Sequence, residues 1–322
     1  VLTPMALVVY EWVMHPHRHA IIVILTLLCL ACAAAPPQPR LPETIRKNTY
    51  YTNKGAALFN KGCHRRALDY FQSAHQRYTA ADNQEKVAET LTGIGSIYYR
   101  IGDMPSALRV YDDAIEVYQN LADDAGTVRA LSNKAAALIA LDRLDEAAAV
   151  LDRADALGQE RTQAALRLKT RALLLIRQNQ MEPARALLDQ ALASVAADEE
   201  TIRSSIYFAL GHIALLDNRP GPAKDQYNEA LRIDRATGAY HDTARDLEAI
   251  ATCHVRLGDH TAAVHYFKRS AKIFALLHEN QRAESALAQL ETSAAHADID
   301  IQATMYWVRQ WLEDPAEADL CY

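Results

Sequence analysis

The chain has few of the residues that interrupt helices. Its 322 residues include only 11 glycines and 11 prolines. No run alternates β-branched with polar residues, the pattern of a half-buried strand. Half of the residues are hydrophobic, and the commonest types are good helix formers. These features exclude a β-rich fold and point to an all-α protein. Charge of one sign is also not clustered. The formal net charge is −6, and no basic stretch offers the Lys and Arg density that a nucleic-acid surface needs.

Motifs of chemistry are equally scarce. Gly93-Ile94-Gly95 lacks the third glycine and the preceding strand of a dinucleotide loop. No Gly-x-Ser-x-Gly elbow and no His-Glu-x-x-His zinc helix occurs. His254, His260 and His265 lie close in sequence, but they fall on different helices and a turn, so they are not expected to converge on a metal. His241-Asp242 reads as a loop whose Asp242 caps the next helix. No catalytic residue, metal, cofactor or small-molecule substrate is predicted, and the chain is expected not to be an enzyme.

What the chain does have is a period. In the stretch Gly95 to Ala114, a small residue is followed by Tyr98, a turn at Gly102, then Ala107, Tyr111 and Ala114. The last three, four and three apart, share one helix face. The small residue recurs at Gly55, Gly95, Ala135, Ala172, Gly211 and Ala251, at intervals of 40, 40, 37, 39 and 40. The alanine of the second helix recurs at 67, 107, 147, 184, 223 and 263. Four residues on stands a large side chain: Phe71, Tyr111, Leu151, Leu188, Tyr227 or Phe267. Three further on a small one returns: Ala74, Ala114, Ala154, Ala191, Ala230 or Ser270. The turn carries Gly62, Gly102, Asp142, Asn179, Asn218 or Gly258, the residue types that best tolerate a left-handed backbone.

This pattern resembles the tetratricopeptide repeat, a helix–turn–helix unit of about 34 residues. The resemblance implies an all-α, right-handed superhelical solenoid of about six helix hairpins plus a C-terminal capping helix. The units are expected at 48–81, 88–121, 128–161, 165–198, 204–237 and 244–277. The cap falls at 279–297, followed by an aromatic tail at 298–322 that either folds back over the last helix pair or makes a dimer or partner contact. In such a solenoid each unit touches only its neighbours, so the array should leave an open curved shelf. Cys63 and Cys253, in the first and last units, should then not pair. The other cysteines are Cys29, Cys32 and Cys321, and no disulfide framework is expected.

In this family the first helix of each unit lines the concave face. Carried over residue by residue, the register places Phe59, Asn60, Tyr99, Arg100, Ile139, Lys169, Leu173, Arg177, Phe208, His212 and Arg256 in the groove. Such a surface suits an extended peptide or amphipathic helix with apolar anchors and some negative charge. Thr52, Ala56 and Gly93 stand where some relatives carry the Lys and Asn that clamp a peptide's terminal carboxylate, so that activity is not implied.

The N-terminus reads as an export signal. Residues 14–35 combine a weakly basic opening (His15, His17, Arg18, His19), an apolar core from Ile21 to Leu30, and small residues. That layout is a signal peptide rather than a membrane span. Its end resembles a bacterial lipoprotein signal, with Leu30-Ala31 before Cys32 as the lipidated residue, although Cys29 stands where the family prefers Leu. The resemblance implies a signal at 1–31, with 1–13 as a candidate overextended start, a lipid anchor in the outer membrane, and a Pro-rich tether at 32–47, the alternatives to the lipid being a soluble exported form or an uncleaved anchor. An extended tether of that length reaches about 50 Å. The function these readings imply is a non-enzymatic scaffold of the bacterial cell envelope. It would hold a partner protein or peptide, as in assembly of a pilus, secretion or outer-membrane complex. The alternative is a peptide-sensing regulator.

Overall fold

The structure, a computed structural model, describes residues 43–157, 163–196, 198–313 and 321. The signal, Cys29, Cys32 and the tether up to residue 42 lie outside the described residues. Everything below concerns the compact body from Asn48 onward.

Fourteen helices and no strand occur among the described residues. They are α1 (Glu43–Lys61), α2 (His64–Ala80), α3 (Gln84–Ile101), α4 (Met104–Asn120), α5 (Asp124–Ala140), α6 (Leu144–Leu157) and α7 (Ala164–Arg177). There follow α8 (Met181–Ser194), α9 (Glu200–Leu216), α10 (Pro220–Thr237), α11 (Tyr240–Arg256), α12 (His260–Leu276), α13 (Asn280–Ala297) and α14 (Gln302–Glu313). Odd and even helices pair into hairpins, and each hairpin packs on the next. The array is an all-α repeat superhelix.

The turns behave as their residue types require. Gly62, Gly102, Asp142, Asn179, Asn218 and Gly258 all have positive φ, between 55° and 94°. A second set of left-handed residues, Asp82, Ala122, Gly238 and His278, links one hairpin to the next. Ala122 and His278 escaped the sequence pattern because Ala and His carry no turn signature. Asn83, Asp103, Asp123 and Asp259 cap their helices by accepting a backbone N–H three residues on. Each such cap contributes about 1 kcal/mol.

The core repeats with the sequence. The six alanines from Ala67 to Ala263 are wholly buried, as are Ala74, Ala114, Ala154, Ala191, Ala230 and Ser270. Ser270 is tolerated because its hydroxyl donates to the Ala244 carbonyl at 2.9 Å. The large residue of each second helix fits against the small residue of the first. A Cβ on Gly95 would stand 2.6 Å from the Tyr111 ring. On Gly55 it would stand 2.8 Å from Phe71, and on Gly211 2.8 Å from Tyr227. Where the small residue is Ala135 or Ala172, the matching large residue is Leu151 or Leu188. Glycine thus accompanies a ring and alanine a leucine in five of the six hairpins, Ala251 with Phe267 being the exception.

The expectation of an open shelf, with each unit touching only its neighbours, does not hold. The superhelix brings its first hairpin back against its last. Leu58, Cys63, Ala67 and Phe71 share one apolar cluster with Leu277 and Cys321. His64 lies edge-on to His241, with ring centres 5.3 Å apart. Arg100 reaches across 142 residues of sequence to Asp242. A disulfide joins Cys63 to Cys321, 258 residues apart, where no disulfide was expected. Neighbour-only contact was the false premise, because a small rotation per unit accumulates until the ends meet. Cys253 is buried and free, and does not pair with Cys63. On the loop-entropy account, a link closing so long a loop stabilises the fold by up to about 5 kcal/mol.

Of its two expected courses, the tail folds back. Val308 is fully buried, and Met305, Trp311 and Leu312 pack on the core built by α12 and α13, while Tyr306 and Trp307 face outward.

The ring fit makes a test by sign reversal. Gly95→Ala should destabilise the wild-type chain by about 1–2 kcal/mol, the overpacking outweighing the better helix propensity. In a Tyr111→Leu background the same change should stabilise by about 0.5–1 kcal/mol. Urea unfolding of the four proteins measures both. Destabilisation of equal size in both backgrounds would show that the ring does not set the glycine.

Candidate functional site

The odd helices α3, α5, α7, α9 and α11 turn their inner faces toward one another and enclose a cavity of about 530 Å³. A volume of this size is typical of ligand sites. Its wall includes Tyr99, Arg100, Ile139, Lys169, Leu173, Arg177, Phe208 and His212, eight of the eleven residues that the repeat register places in the groove. Phe59 lines a smaller adjoining pocket with Ser96, Tyr99, Arg100 and Lys169. Asn60 and Arg256 are exposed and border neither pocket. Both sit at the C-terminal end of their helix, where the inner face has already turned to solvent. Arg177 is at the rim and pairs with Asp142 of the preceding turn at 2.7 Å.

Register alone did not find the acidic half of the site. Asp234, Asp242 and Asp246, with Arg245, complete the wall. Asp242 is not in a loop and caps nothing. It stands in the first turn of α11, whose N-terminus has no side-chain cap. Its carboxylate accepts two bonds from the Arg100 guanidinium, at 2.8 and 3.1 Å, and one from Arg245 at 3.1 Å. Burial alone would raise Asp242, but Arg100 and Arg245 outweigh it and hold the carboxyl well below the usual range. Each guanidinium also lies over a ring, Arg245 over Phe208 at 4.3 Å and Arg100 over Phe59 at 5.9 Å. Two arginines, one from the same helix and one from across the closure, are thereby fixed on one carboxylate.

Asp234 and Asp246 are 3% and 1% exposed. Burial, reinforced at Asp246 by the charge of Asp234, pushes Asp246 up to about 10, and burial lifts Asp234 to about 6. The pair retains a proton at neutral pH. Asp246 Oδ2 has no hydrogen-bond partner, which suits a neutral carboxyl better than a charged one. Lys169 projects from α7 into the same space. Burial, together with the charge of Arg100, pulls its amine down to about 8, and no residue among those described bonds to it. Arg100, Lys169 and Arg245 therefore face one fully ionised carboxylate and one proton-sharing pair, which leaves the cavity a cationic excess.

The histidines near the C-terminus do not converge. His254 bonds to Asp259 at 3.2 Å and stacks on Tyr266, His260 stacks on His296, and His265 meets the edge of Tyr266.

Hairpins of helices wound around an apolar and charged inner face define a helical-repeat binding protein. A tetratricopeptide-repeat family model matches residues 47–120 and 88–160, and a second matches 204–237. The chain belongs to the tetratricopeptide-repeat family. No curated protein matches it by sequence. Similar solved structures include the Rap conjugation gene regulator of plasmid pLS20 in complex with a Phr peptide, at 14% identity and TM-score 0.60. That match covers 97% of this chain and 86% of the other. A Rap protein complexed with Competence and Sporulation Factor matches at 16% identity and TM-score 0.55, over 78% and 76% of the two chains. A signal-transduction ATPase with a tetratricopeptide-repeat sensor from Pyrococcus horikoshii matches at 15% identity and TM-score 0.57. It covers 75% of this chain, which spans only 37% of the ATPase. At these identities the likeness concerns the fold.

The acidic pair supplies a pH test. Both groups have folded-state values above the unfolded aspartate value near 3.9, so the folded state binds protons more tightly. Their burden on stability is absent below about pH 4 and grows as pH rises through the folded values. Asp246→Asn should leave stability unchanged at pH 4 and raise it by about 1–3 kcal/mol at pH 8. Urea midpoints across that range report it, and a gain independent of pH would contradict the proton-sharing pair.

Proposed function

We propose that this is a non-enzymatic protein-interaction scaffold that holds a partner peptide in the central cavity. The peptide would place an acidic group against Lys169 and apolar side chains against Ile139, Leu173 and Phe208. The observation that carries this reading is the unpartnered Lys169 amine, half-buried in a cavity with cationic excess. A buried amine without a counter-ion is unfavourable, and a bound carboxylate would offset that. The pre-fixed Arg100 and Arg245 lower the ordering cost of binding. A Rap regulator of similar fold was solved in complex with a Phr peptide, which supports a peptide as the kind of occupant.

The compartment reading rests on two further features. A disulfide between distant segments suits an oxidising compartment, which agrees with the export signal read from residues 14–35. No helix among the described residues is long and apolar enough to cross a membrane. The anchor in this proposal is a lipid on Cys32, which rests on the signal read from residues 14–35. Fatty-acid labelling in a bacterial host should mark the wild-type chain and not Cys32→Ala, and equal labelling would remove the anchor from the proposal.

The cavity is tested with an array of random peptides bearing free or amidated C-termini. Wild-type protein should select peptides with a carboxylate and apolar neighbours. Lys169→Met should bind the selected peptides about tenfold more weakly, as expected for one charge-assisted bond. No selection, or equal binding by both proteins, would count against the site. Solution scattering on the selected complex separates the scaffold from the second reading, a peptide-sensing regulator, which the Rap likeness favours. A scaffold keeps its radius, and a sensor compacts.

A further inference from the structure

We infer that His64, His241 and Glu279 form a site for a divalent transition-metal ion, for which zinc is the natural probe, at the seam where the superhelix closes. One donor atom from each lies within 4.8 Å of the other two. The three come from distant parts of the chain: the first residue of α2, the first turn of α11, and the residue before α13. Two imidazole nitrogens and a carboxylate oxygen are a zinc donor set, and three protein ligands leave a fourth position for water.

The surroundings fit a ligand site better than a packed core. His64 is 8% exposed, and no hydrogen bond from its imidazole to a described side chain fixes the ring. It meets only the edges of Phe59 and His241. Glu279 is already divided between two tasks. Its Oε1 lies 2.5 Å from His241 Nδ1, and its Oε2 faces Arg282 Nε at 3.5 Å. A metal bound through Oε1 would leave the Arg282 contact in place. Zinc requires donors at 2.0–2.2 Å, so the three side chains would draw in around the ion on binding. Arg100 and Arg282 are the nearby cations that oppose a dication. Each is already committed to a carboxylate, Arg100 to Asp242 and Arg282 to Glu279.

Such an ion would tie the first hairpin directly to the sixth and to the cap, beside the disulfide. The site does not depend on what occupies the cavity. Its test uses the oxidised full chain freed of metal by chelation. Calorimetric titration with zinc should show one high-affinity site, and one equivalent should raise the melting temperature, because an ion bound only by the folded state stabilises it. His64→Gln and Glu279→Gln should each weaken that site at least tenfold and abolish the thermal shift. Weaker uptake by the other histidines, including His15, His17 and His19, would persist in the variants and is distinguished that way. Cobalt(II) added to the wild-type chain should give the intense visible band of tetrahedral coordination, which needs no variant to fold. The absence of both that band and the high-affinity site, or zinc binding unchanged in His64→Gln, would overturn the assignment.

Discussion

The structure depends on one steric constraint, the fit of a large side chain from the second helix of each hairpin into the small residue of the first. At Gly95 there is no space between helix backbone and the Tyr111 ring for even a methyl group. Helices that approach so closely must cross in one way, since packed interiors are not fluid. The crossing fixes the hairpin, and the repeated hairpin fixes the curvature. The curvature turns the odd helices inward, so that Arg100, Ile139, Lys169, Phe208 and Asp242 come to share one cavity.

A ring with a disulfide and a polar seam behaves differently from an open solenoid. In an open array stability is close to a sum over nearest neighbours. Here the terminal hairpins are each other's neighbours, through the apolar cluster of Leu58, Phe71 and Leu277 and through Arg100 and Asp242. Closure also keeps the cavity's charges partly shielded from solvent, where electrostatic interactions are stronger than at an open surface. The paired arginines on Asp242 and the proton held by Asp234 and Asp246 are features of an interior, and a solvated shelf would not sustain them.

Much of this was legible beforehand because its cause is local. The turn glycines, Asp142, Asn179 and Asn218 announce a left-handed backbone by their own chemistry, and all six adopt it. The inner faces follow from periodicity, and Tyr99, Lys169, Leu173 and Phe208 line the cavity wall. Asn60 and Arg256 stand exposed near the C-terminal ends of their helices and do not line it. His241 and Asp242 were misread for a related reason: next to a presumed turn, an aspartate looks like a cap until the far side of the ring supplies an arginine.

By itself the sequence determined the hairpin, its repetition, and which helix of each pair looks inward, since all three are set by side chains within about forty residues of one another. Only the tertiary structure decided that the array closes. The rotation between successive hairpins is written at no single position and is small at each step, so its sum over six units cannot be read from any one of them. The partnerships of Cys63 with Cys321, Arg100 with Asp242 and His64 with His241 all belong to that sum.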